Sequence, residues 1–235
     1  MLSSSEGAIL RKTWTWDALK LHLKRNWEIL LILSLLPLQV VSGNLFVLAN
    51  GVATPYSVLN FAIWLLACLR QYFVPFLLPI LVLTAVACLC LPLPERRRRL
   101  LMDVMYLLMV VRLLLLFSVL NLMIFLPPAD PVLLFVQLLL FLPCLLCVWG
   151  WIYWRVDSYF VASGFGRIFS SSTSGDEIPP AFDYFIASFT SLLTQTLDNF
   201  NATTRFGRVL IFAHGLMVWD IMALTLSRAI ALAAV

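Results

Sequence analysis

"FTSLLTQTLDNFNATTRFGRVLIF", residues 189 to 212, changes character twice. It opens as the apolar end of a helix, crosses a polar stretch from Thr194 to Thr204, and resumes as a long apolar helix from Arg205. Asp183 starts the first helix, which the pattern predicts over 183 to 195. A helix of about 13 residues rises about 20 Å, short of the roughly 30 Å of hydrocarbon in a bilayer. Polar backbone that stops partway is tolerated only where protein or water surrounds it. The reading of the whole chain turns on what surrounds this tip.

The rest of the sequence makes the bilayer the relevant solvent. The chain is 62% hydrophobic and 12% charged, with a mean hydropathy of +0.97. A soluble domain carries about a quarter charged residues. The apolar runs are long and continuous rather than alternating, which predicts helices and an all-α integral membrane protein. The net charge of +4 comes from basic clusters beside apolar runs. Those read as topology signals, and no nucleic-acid partner is expected. All of Cys68, Cys88, Cys90, Cys144 and Cys147 sit inside apolar runs, where a thiol is a small buried hydrophobe. The start of the chain lacks a cleavage site after its apolar stretch and is not expected to be a signal peptide.

Residues 1–26 are expected to form an amphipathic N-terminal segment, with Trp14, Leu19 and Leu23 opposite Lys20, Lys24 and Arg25. Residues 27–127 are expected to hold the N-terminal transmembrane helices. The first span is placed at about 27 to 48, kinked at Pro37. Residues 58 to 70 read as a short re-entrant or interfacial helix and 73 to 93 as the second span. "PERRRR", 94 to 99, follows it, and the third span starts at about 100. Residues 131–235 form the C-terminal part: a span to about Arg155, a polar connection over 157 to 180, the short helix, the polar turn and the last span.

Span, short helix, polar turn and span resembles the pore module of the tetrameric cation channels. Against the potassium-channel pattern, Phe189, Thr190, Leu192 and Thr194 match without a gap, as do Thr204, Gly207 and Arg208 beyond it. Gln195, Thr196, Leu197 and Asp198 stand where that family has V-G-Y-G, and without glycine successive carbonyls are hard to turn inward. "TLDNF", Thr196 to Phe200, is instead similar to the T-L-E-S-W filter of bacterial sodium channels and its T-L-D-D-W calcium variant. The resemblance implies a homotetramer whose selectivity filter is Thr194, Gln195, Thr196, Leu197, Asp198 and Asn199. In it the Asp198 carboxylates would form a ring that attracts cations. It also implies that no cofactor is needed beyond the permeant cations.

Asp220 lies near the middle of the last span, where an acid is expensive in lipid. It is a pore-lining candidate, or else an intramembrane ion-pair partner of Arg112 in the third span. His214 and Gly215 are further lining or gating candidates, with hydrogen bonding and helix packing as their plainer roles. No catalytic constellation or metal-ligand cluster is visible, and no enzyme activity is expected. The function expected is a cation channel, non-selective or Na⁺-preferring, in a bacterial inner membrane. The alternative is a non-conducting scaffold that acts as an auxiliary or interaction subunit.

Topology stays open at this level. Both basic clusters prefer the cytoplasm. If 58 to 72 is not a crossing, the hairpin enters from the cytoplasm. If it is one, the hairpin enters from outside and "RRRR" lies outside, the plan that the family resemblance favours.

Overall fold

The computed structural model describes residues 16–49, 61, 64, 67, 78–91, 94–122, 131–171, 179–194 and 200–233. They form α1 (Trp16–Ala49), α2 (Leu78–Cys90), α3 (Glu95–Leu122), α4 (Pro131–Ala162), β1 (Phe169–Ser171), α5 (Ala181–Thr194), β2 (Phe200–Ala202) and α6 (Arg205–Ala233). The all-α class holds. Three stretches are long and apolar enough to cross a membrane: Glu95–Asn121, Val132–Ala162 and Arg205–Ser227. Asn26–Ser42 and Leu78–Cys90 are shorter apolar helices. The helix expected over 58 to 70 lies outside the described residues, apart from Phe61, Trp64 and Ala67, which are helical.

Several boundaries differ from the sequence reading, each for a local reason. α3 begins at Glu95, so "RRRR" is its first turn rather than a loop. Glu95 accepts from Arg99 one turn on (3.2 Å), and an acid in the first turn complements the helix dipole. The break in α1 is at Asn26, not at Pro37, which sits inside the helical run. The Asn26 side chain there accepts a hydrogen bond from Arg98 (3.1 Å), and this bond favours a non-helical residue at that point. α4 runs on past Arg155 to Ala162, because Asp157 is drawn inward instead of ending the helix in solvent.

Cross-helix contacts fix the relative directions. From residue 26 to 39, α1 meets α3 from 98 to 112: Asn26 with Arg98, the Glu28 carbonyl with Tyr106, the Gln39 carbonyl with Arg112. The two helices are parallel. α4 runs the other way. Arg155 pairs with Asp103 and Trp151 stacks on Tyr106, while Phe160 stacks on Phe206 and Tyr153 meets His214 of α6. Arg98 and Arg99 of α3 sit at the end where α5 and α6 begin.

α4 is the hub, packed against α1, α5 and α6. At Gly150 a Cβ would lie 2.9 Å from the Phe185 Cα. Glycine is what allows α5 to approach α4 this closely.

Candidate functional site

The candidate site is the α4–α5–α6 module. α5 starts beside the C-terminal end of α4 and runs down it, antiparallel. Tyr184 lies level with Asp157, and Ser188 donates to the Leu146 carbonyl (2.8 Å). The helix ends at Thr194. By Phe200 the chain is back at the level of Tyr184, the two rings 5.0 Å apart. β2 then pairs antiparallel with β1, Phe200 opposite Ser171 and Ala202 opposite Phe169. Thr203 seals the pairing by donating to the carbonyls of Arg167 (2.6 Å) and Ile168 (2.8 Å). Thr204 caps α6 by accepting from the Gly207 amide (3.0 Å).

One carboxylate holds this end together. Asp157 is fully buried. It accepts from the Tyr184 hydroxyl (2.5 Å), the Ile168 amide (2.6 Å) and the Phe169 amide (3.3 Å). Arg167 lies 3.8 Å away. A buried carboxylate persists when it is paired and hydrogen-bonded in this way. Burial first, and the bond to Asp157 second, push the Tyr184 phenol above its ordinary value, so it stays a donor. Asp157 thus ties α4, the β1 connection and the short helix to one point.

A second polar group joins the same elements lower down. His214 is buried between α4 and α5. Its Nδ1 is 2.9 Å from the Tyr153 hydroxyl, its Nε2 is 3.5 Å from Ser188 Oγ, and its ring stacks on Trp149.

The other sequence candidates are dispersed. Thr194 ends α5, and Gln195, Thr196, Leu197, Asp198 and Asn199 lie outside the described residues. A Cβ on Gly215 would meet nothing within 4 Å. Asp220 accepts from Asn121 of α3 (2.8 Å), whereas Arg112, nine residues earlier on that helix, donates to the Gln39 carbonyl (3.1 Å). Among the described residues no cluster of histidine, cysteine or acidic side chains has the makings of a metal site. Sequence reasoning missed Asp157, Tyr184, Tyr153 and Ser188. The available signal was an acid, Asp157, two residues after the aromatic and basic stretch that ends at Arg155.

No family model, curated protein or solved structure matches the chain.

Proposed function

We propose that the chain is one subunit of an oligomeric membrane pore for cations, non-selective or Na⁺-preferring, with residues 194 to 199 as its constriction. The supporting observation is the course of the chain through the module. A 14-residue helix ends at Thr194, and by Phe200 the chain has returned to the level of Tyr184. A hairpin with its polar tip at membrane depth needs neighbours that supply water or protein. Sister copies around an axis supply both. Asp198, at the tip, would then form a ring of carboxylates that attracts cations.

The outer face of α6 supports assembly. Val209, Phe212, Leu216, Trp219, Leu226 and Ile230 are each more than half exposed. With Ala223 they recur at alternating three- and four-residue steps, the seam along which helices pack at a shallow angle. α5 adds Phe182, Ile186 and Phe189 at four- and three-residue steps, also exposed. By the charge rule, the hairpin enters from the cytoplasmic side, where the basic residues gather. A bacterial inner membrane is the proposed location.

A second reading, a non-conducting auxiliary subunit built on the same scaffold, draws support from His214, which is turned into its own chain rather than towards a neighbour. Purified protein in liposomes separates the two. The channel reading predicts Na⁺ flux that collapses in Asp198→Ala while the protein stays folded and assembled. Folded, assembled wild-type protein without flux would favour the auxiliary subunit.

A further inference from the structure

A small, mostly apolar cavity with a few polar groups in its lining lies away from the hairpin, among α1, α3 and α4. It has a volume of ≈ 10 Å³ and is lined by Gln39 and Ser42 of α1, Arg112 of α3, and Phe141 and Cys144 of α4, with leucines between. Gln39 and Ser42 are 4% and 1% exposed. The amide nitrogen and oxygen of Gln39 and the Ser42 hydroxyl have no hydrogen-bond partner among the described residues. Leaving such groups dry is costly.

The chemistry of the lining narrows the occupant. Arg112 offers only donors, the Gln39 amide offers both donors and an acceptor, and the Ser42 hydroxyl offers either. A small anion would leave the amide oxygen unanswered. A metal cation would be repelled by the guanidinium. An apolar atom would answer neither Gln39 nor Ser42. Water donates and accepts, and the volume is about that needed for one molecule. We propose that this cavity holds one ordered water that bridges Gln39 and Ser42 beside Arg112. It lies on the α1 side of the cavity, next to the α3 guanidinium. The inference is independent of whether the hairpin conducts.

Three free cysteines make the test internal. Cys144 lines the cavity and is buried, Cys88 is buried elsewhere, and Cys90 is exposed. X-ray hydroxyl-radical footprinting of the full chain in nanodiscs oxidises side chains beside bound water even when they are inaccessible from outside. The proposal predicts Cys144 oxidation well above that of Cys88, with Cys90 as the upper reference. In Gln39→Leu/Ser42→Ala the Cys144 signal should fall to the Cys88 level while buried Met105, two turns up α3, is unchanged. Cys144 no more oxidised than Cys88 in the wild-type protein would overturn the proposal, whether or not the variant folds. So would a Cys144 signal that persists in a folded variant.

Discussion

The two halves of the bundle treat buried polar groups differently. Around α5, each buried polar side chain at the centre of the packing has a protein partner. Asp157 gathers a phenol and two amides, His214 meets Tyr153, and Ser188 meets a carbonyl. Among α1, α3 and α4, Asn26 and Arg98 are paired at one end, but farther along the side chains of Gln39, Ser42 and Gln137 are buried without a partner among the described residues. The first region is built to hold one geometry, because satisfied buried networks specify a unique arrangement. Around Gln39, Ser42 and Gln137, apolar packing carries the geometry and these polar atoms are left to other partners.

Substitutions can break this contrast. The largest loss is expected from Asp157→Ala, which strands the Tyr184 hydroxyl and two backbone amides. About 3–5 kcal/mol of stability should go, read from denaturant unfolding in detergent by circular dichroism. Gly150→Leu should cost about 1–3 kcal/mol, because the side chain would collide with the α5 backbone at Phe185. The same measurement checks it, and a neutral result would mean that α5 does not lie against α4 this closely. The smallest effects sharpen the contrast most. Ser188→Ala should cost about 1 kcal/mol by removing a made hydrogen bond. Gln137→Leu, which removes atoms with no partner among the described residues, should be neutral or mildly stabilising, within about 0.5 kcal/mol of zero or above it. Equal losses from the two would erase the distinction between the regions.

Much of the architecture was legible in the sequence because apolar run length is a strong signal when lipid is the solvent. The short helix was expected over 183 to 195 and is found at Ala181–Thr194. Helix ends were less legible. Arg96 to Arg99 read as a loop by charge, yet Glu95 and the contacts to Asn26 and Glu28 hold them helical. The β1–β2 pairing was not readable at all. Its strands are three residues each, and Asp157 reaches its partners across 11, 12 and 27 positions. No local pattern encodes contacts of that range. The parallel course of α1 and α3 likewise rests on long-range bonds, above all that between Asn26 and Arg98.

The central claim is that the hairpin tip is completed by other copies of the chain. Single-particle cryo-electron microscopy of the full-length protein in nanodiscs tests it most directly. The account predicts a tetramer in which residues 195–199 of every copy face one central axis, with the exposed seams of α6 running alongside it. Isolated monomers, or an assembly whose hairpin tips point away from any shared axis, would contradict it.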